Sequence, residues 1–390
     1  MGRTAALMDQ ARAATGLDDF GEDSFREGLD RLVDALDGEA RLNELGRMAT
    51  DAQIVGLLSD RLKIEDWYRR HPEIDDEAII APTIGIGLPR TGSTALACLM
   101  GEDDRVMTLR NHEAITPCPP TGFAPESEAG KIAVAEAAME RRARLFPRMQ
   151  QMLPSTATSP TECQLFMGQD FRSQIFQAFA YIPSYSDWLE DEADMSSTYR
   201  HLKRVLKLLQ WKRGPTRWRI KNPSHSLFIG ALDAEFPDAQ FVMTHRDVAN
   251  VIPSVADLFF ELSSAYSDHA DRERLAELNV ASWEKAMRRM IAFRDAGADD
   301  RFFDIPFRPF MRDPFPILER LYDWLGEELT PDVKARMQAW RTSTPRDKHG
   351  GHSYDAADFG IDIDALRQRF GFYFDRFDAV FAADKEEAAR

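Results

Sequence analysis

The run TIGIGLPRTGSTALACLM, Thr83 to Met100, constrains the fold of this chain more than any other stretch. A short β-branched segment, Thr83–Gly87, bounded by Pro82 and glycine, is predicted as a buried strand. Two glycines follow with four residues between them, Gly87 and Gly92, and helix-forming residues begin at Ser93. A strand, a glycine turn and a helix start aim several backbone N–H groups and a positive dipole end at one point, an arrangement that suits a phosphate. Glycine lets the chain turn and approach a ligand closely, while Ser93 and Thr94 add hydroxyl donors. Arg90 lies within the loop, where its fork can neutralise an anion.

One residue type is missing. A loop of this spacing that holds a nucleoside triphosphate carries lysine before Ser/Thr, reaching the β- and γ-phosphates. Here Ser93 and Thr94 occupy those two places. A kinase with a degenerate loop and a non-catalytic nucleotide-binding protein therefore stay open alongside other anion chemistry.

Further short strands are predicted at 105–109, 217–221, 239–245 and 301–307. Helical stretches at 131–152, 163–180, 194–211, 226–235, 248–266, 272–296 and 309–325 separate most of them. Alternating strand and helix implies an α/β fold: a P-loop-like central parallel sheet of about five strands, flanked by helices. Ahead of it, residues 1–80 read as an N-terminal helical region, with 81–390 as the α/β domain. In the former, Phe25, Leu29, Leu32, Val33 and Leu36 form one apolar stripe. The proline-rich piece 116–130 and the polar, glycine-rich tail 342–360 are expected to be loops.

Composition narrows the partners. A net charge of −16 argues against nucleic acid as a partner, because counterion release needs a basic face. No run of about 18 apolar residues suggests a membrane span, and the first 20 residues lack the apolar core of a secretory signal. Three scattered cysteines, Cys98, Cys118 and Cys163, suit neither a disulfide framework nor a zinc site, so no metal and a reducing cytoplasm are expected. A homo-oligomer stays open.

A second anion site is suggested by FVMTHRDVANVIPS. A strand ends at His245-Arg246-Asp247, and Ser254 follows the arginine by eight residues, about two helical turns later on roughly the same side. Together these segments resemble the sulfotransferases that use 3′-phosphoadenosine 5′-phosphosulfate (PAPS). GLPRTGSTAL resembles their 5′-phosphosulfate loop and HRDVANVIPS their 3′-phosphate motif. RIKNPSHSLFIGALDAEFPDAQFVMTHRD is similar to a run of the bacterial families and, more distantly, of the tyrosylprotein sulfotransferases.

That resemblance implies sulfuryl transfer from PAPS to a hydroxyl of a small, partly apolar acceptor, without metal, leaving adenosine 3′,5′-bisphosphate. It implies that Thr91, Gly92, Ser93 and Thr94 hold the 5′-phosphate, Arg246 and Ser254 the 3′-phosphate, and Arg90 and Lys221 the leaving group. In the bacterial and tyrosylprotein families a glutamate after the second strand is the base, which points to Glu113; His225 and His112 are alternatives. Arg346, Lys348 and Tyr354 are expected in a C-terminal loop that covers the nucleotide. Ala95 replaces the tryptophan that packs near adenine in the cytosolic families. The aromatics Phe176, Phe179, Tyr181, Tyr185, Trp188, Phe259, Phe260 and Tyr266 suggest an apolar acceptor pocket.

Overall fold

Five parallel strands form the sheet of the computed structural model, which describes residues 2–119, 125–148, 155–214, 217–344 and 355–388. They are β1 Thr83–Ile86, β2 Val106–Thr108, β3 Arg217–Lys221, β4 Gln240–His245 and β5 Phe302–Pro306, in the order β2-β3-β1-β4-β5. Each falls within a residue or so of its predicted span. After β1 the chain goes to the β2 edge and returns through β3; after β4 it goes to the opposite edge. The path reverses between β1 and β4, and in open sheets ligands bind beyond the carboxyl ends of strands at such a point.

Both faces of the sheet are covered, and apolar residues such as Ile84, Ile86, Phe241, Val242, Met243 and Ile305 are buried along its strands. Neighbouring side chains of a strand point to opposite faces. Val242 and Ile305 pack with Leu96 and Leu99 of the helix Ser93–Met100 and with Leu318 and Leu321 of Phe315–Leu325. Phe241 meets Phe302 at a ring separation of 4.8 Å, and both meet Phe293 of the helix Arg272–Phe293. The sheet and these helices belong to one compact unit, comprising 80–108, 217–257 and 272–390.

Residues 1–79, 109–216 and 258–271 form a second, helical unit. Its long helices are Arg3–Thr15, Phe25–Gly38, Glu44–Arg70, Pro125–Leu145 and Ser196–Gln210. The stripe Phe25, Leu29, Leu32, Val33 and Leu36 is buried as its spacing predicts. Asn43 caps Glu44–Arg70 by accepting the Gly46 N–H at 2.8 Å.

Three predicted elements are corrected. The helix expected over 163–180 is two short ones, Gln164–Gly168 and Ile175–Phe179, because Phe171 is left-handed at φ 52°. The helix expected over 309–325 is split at Asp313-Pro314, since Pro314 has no N–H to continue the first helix. The helix expected from 131 begins at Pro125, inside the segment expected as a loop. No helix among the described residues is long and apolar enough to cross a membrane.

The break at Phe171 surrounds a fully buried carboxylate. Asp170 accepts from Ser24 Oγ at 3.0 Å, Arg172 Nη1 at 3.1 Å, Ser197 Oγ at 2.7 Å and Thr198 Oγ1 at 2.9 Å, with Arg61 Nη1 at 3.4 Å. Removing one charge from a buried ion pair leaves the other uncompensated. Asp170→Asn is expected to cost about 3 kcal/mol, read as a lower urea midpoint at unchanged slope.

Candidate active site

Beyond β1 the backbone becomes left-handed at Gly87 (φ 105°), Arg90 (φ 62°) and Gly92 (φ 90°). The space is as restrictive as the angle: a Cβ on Gly87 would lie 2.9 Å from Met243 Cγ. Arg90 has no glycine freedom, and a left-handed L-residue costs about 1–2 kcal/mol. Contacts around the loop offset that cost. Arg246 Nη1 donates to the Arg90 carbonyl at 2.9 Å. Thr91 Oγ1 donates to the Leu88 carbonyl at 2.8 Å and lies 2.6 Å from Thr244 Oγ1 of β4. Ser226 Oγ, from the turn after β3, accepts the Gly87 N–H at 2.9 Å. The Thr91 hydroxyl is thus used within the loop, whereas Ser93 and Thr94 open the next helix half-buried.

Cationic side chains converge on the same strand tips. Arg90 Nε donates to Ser254 Oγ at 3.0 Å, so Arg246, Arg90 and Ser254 form one connected chain. The Arg246 guanidinium lies 4.3 Å from the Phe307 ring centroid. Lys221, buried at the end of β3, donates from Nζ to Thr94 Oγ1 at 3.3 Å. Its room comes from Gly85, its partner in the sheet register, where a Cβ would lie 2.9 Å from Lys221 Cβ.

The end of β4 is braced from behind. His245 Nε2 lies 2.7 Å from Asp304 Oδ1 and Nδ1 lies 3.0 Å from Tyr373 Oη. Arg294 donates to both Asp304 oxygens, at 2.8 and 2.7 Å. Burial alone would raise the Asp304 carboxyl, but the bonds from Arg294 and His245 outweigh it and hold it well below the usual carboxylate range. Asp247 caps the following helix through the Ala249 N–H at 2.9 Å and takes Arg367 Nη2, also at 2.9 Å. That pairing directs its charge toward the helix Ile363–Arg369.

Glu113 lies in the helical unit, on the short helix Asn111–Ile115, and is 2% exposed. Its Oε2 accepts the Arg110 N–H at 3.0 Å and its Oε1 accepts from Arg213 Nη1 at 2.7 Å. Nearby, burial pushes the Lys131 ammonium down, opposed by Glu113 and Glu128. His112 has both ring nitrogens engaged, by Ala157 O at 3.1 Å and Glu128 Oε1 at 2.7 Å.

A model of the Sulfotransferase family matches residues 82–332, well over half of the chain. The chain belongs to the sulfotransferase family. Solved relatives agree over nearly the whole length. Sulfotransferase STF9 from Mycobacterium avium superposes with a TM-score of 0.86 at 31% identity, covering 96% of both chains. Sulfotransferase STF1 from Mycobacterium tuberculosis H37Rv gives 0.84 at 29% identity, covering 95% of this chain and 98% of the other. A curated relative, omega-hydroxy-beta-dihydromenaquinone-9 sulfotransferase Stf3 of Mycobacterium bovis, is 28% identical over 149 residues. That match spans 37% of this chain and 38% of the relative. The kinase and non-catalytic alternatives are set aside: this is a sulfotransferase enzyme of the bacterial type.

Of the site residues expected from sequence, Arg90, Thr91, Gly92, Ser93, Thr94, Lys221, Arg246 and Ser254 are connected within the sheet unit of this sulfotransferase. Arg346, Lys348 and Tyr354 lie outside the described residues. His225 sits fully enclosed in the 3-10 turn Pro223–Phe228. Sequence reasoning missed Ser226, Thr244 and Phe307. Their position at or just past strand ends was the one available signal. Of the expected acceptor aromatics, Phe176, Tyr185 and Trp188 are buried core, while Phe179, Phe259 and Phe260 are half-buried.

Two outcomes follow. Gly85→Ala is expected to displace Lys221 at its Cβ, lowering turnover about tenfold or more and lowering the melting temperature as well, measured side by side on the purified enzyme. Burial pushes the His225 imidazole from 6.5 down to about 3. Below pH 6.5 the unfolded chain takes up a proton that the folded one refuses until about pH 3. Stability is therefore fully present above 6.5 and falls on acidification, by about 1.4 kcal/mol per pH unit from this group. His225→Gln is expected to flatten that part of a urea-midpoint profile against pH.

Proposed function

We propose that the enzyme transfers a sulfuryl group from PAPS to a hydroxyl of a small, partly apolar acceptor. The observation that supports this reading is the hydrogen-bonded chain Arg246–Arg90–Ser254, which links the loop after β1 to the segment after β4. A donor with phosphate at both ends of one nucleoside suits such a pair. The missing lysine also fits. A sulfuryl donor has one 5′-phosphate joined to sulfate, so less charge needs neutralising than in a triphosphate and the loop works without Mg²⁺.

In this reading the Gly92 N–H, Ser93, Thr94 and the backbone at Thr91 hold the 5′-phosphate, and Arg246 and Ser254 the 3′-phosphate. The acceptor oxygen attacks sulfur in line, forming an O–S bond as the bond from sulfur to the bridging phosphate oxygen breaks. The electron pair stays on the 5′-phosphate, where Arg90 and Lys221 stabilise it, and the acceptor proton goes to the Glu113 carboxylate. His225, neutral and enclosed, suits this step less well. An apolar acceptor is supported by the half-buried Phe179, Phe259 and Phe260 and by the name of the Mycobacterium bovis relative, a hydroxylated menaquinone derivative. We place the reaction in the cytoplasm, where the absence of a membrane-crossing helix among the described residues is compatible with it.

Incubation with PAPS and a panel of alcohols, phenols and steroids is expected to release adenosine 3′,5′-bisphosphate. Lys221→Ala should lower turnover about 100-fold or more. Arg246→Ala should weaken bisphosphate binding about 30-fold by calorimetry and adenosine 5′-phosphate binding by a smaller factor, since only the former carries the 3′ anion. Absence of any bisphosphate binding by the wild-type chain would end this reading.

A further inference from the structure

We infer that Arg213 is the positioning residue of the base: with the Arg110 amide it fixes the Glu113 carboxylate at two points, ready to take the acceptor proton. This rests on the sulfotransfer reading above with Glu113 as base. The Oε2 contact at 3.0 Å joins Glu113 to the N–H three residues earlier in the same turn, so it fixes one oxygen. A single contact leaves the terminal torsion of a glutamate loose, because that torsion has a broad, roughly two-fold profile. Arg213 supplies the second contact, 2.7 Å from Oε1, and removes that freedom. A carboxylate offers about four lone-pair sites, so two held oxygens still accept a hydroxyl proton. The pattern generalises a rule of catalytic sites, in which the base is oriented by a third group.

The backbone is shaped to deliver this side chain. After the helix Ser196–Gln210 the chain turns sharply: Lys212 is left-handed at φ 64°, Gly214 follows at φ 87°, and the Arg213 N–H donates to Gln210 O at 2.8 Å. The turn is anchored on both sides. Gln210 Nε2 donates to Glu77 Oε2 at 2.7 Å and to Ala78 O at 3.1 Å. Trp211 packs on His71 at 4.6 Å and on Trp67 at 5.9 Å between ring centroids. The guanidinium that emerges is 40% exposed, while the carboxylate it reaches is 3% exposed. A surface arginine with no task has no need of so constrained a turn.

The experiment compares full-length wild type, Arg213→Ala, Arg213→Lys, Glu113→Gln and the double variant Arg213→Ala/Glu113→Gln, each with PAPS and an alkanol, a phenol and a nitrophenol. Base assistance matters most for the least acidic hydroxyl. Arg213→Ala is expected to lower kcat about tenfold or more for the alkanol and threefold or less for the nitrophenol. Bisphosphate affinity should stay at the wild-type value, while the melting temperature falls because the buried Glu113 carboxylate loses its charged partner. Arg213→Lys should recover part of the loss, and in the Glu113→Gln background Arg213→Ala should change nothing further. An equal loss for all acceptors, or a full additional loss in the double variant, overturns the positioning role while leaving sulfotransfer intact. A wild-type chain that neither binds bisphosphate nor releases it from PAPS overturns the sulfotransfer reading, and the role of Arg213 with it.

Discussion

Positive charge gathered at the tips of β1, β3 and β4 is the constraint on which the rest of the site depends. The chain carries a net −16, yet Arg90, Lys221 and Arg246 stand where three adjacent strands end. Each cation donates to a neutral oxygen among its partners: Arg90 to Ser254 Oγ, Lys221 to Thr94 Oγ1 and Arg246 to the Arg90 carbonyl. These hydroxyls and this carbonyl help orient the three cations at the strand tips. The neighbouring acid, Asp247, is instead occupied by the helix cap and Arg367.

That arrangement requires a rigid loop, and the rigidity is built from absent side chains as much as from bonds. Gly85 makes room for Lys221, and Gly87 lets the backbone pass close to Met243. Arg90 occupies a backbone region that disfavours it and is held there by a bond from Arg246. Strain kept at a site by surrounding contacts lets the site exist before its ligand arrives. The His245, Asp304, Arg294 and Tyr373 network plays the matching part behind β4.

Two buried carboxylates in the helical unit are held in different ways. Asp170 is enclosed by Ser24, Arg61, Arg172, Ser197 and Thr198, donors enough to use its lone pairs. It joins distant segments and has nothing left for a substrate. Glu113 is held by the Arg110 amide and by Arg213, which fixes its direction and leaves acceptor capacity unused. Saturation distinguishes Asp170 from the carboxylate we propose as the base.

The sequence by itself determined the strands, their parallel association and the two motifs that meet at the strand tips. These depend on short-range patterns: β-branched runs, glycine spacing, and an arginine at a strand end with a serine eight residues later on the next helix. Only the tertiary structure decided which polar groups are enclosed and which partners they meet. Phe171 breaks a periodic apolar stretch because the buried Asp170 draws its donors from Ser24 and Thr198, far along the chain. His225 lies in a promising motif yet is sealed from solvent, and Glu113 meets an arginine 100 residues later. Local propensity is set by neighbours within a turn or two. Burial and ion pairing are set by whatever the fold brings alongside, and no spacing rule records that.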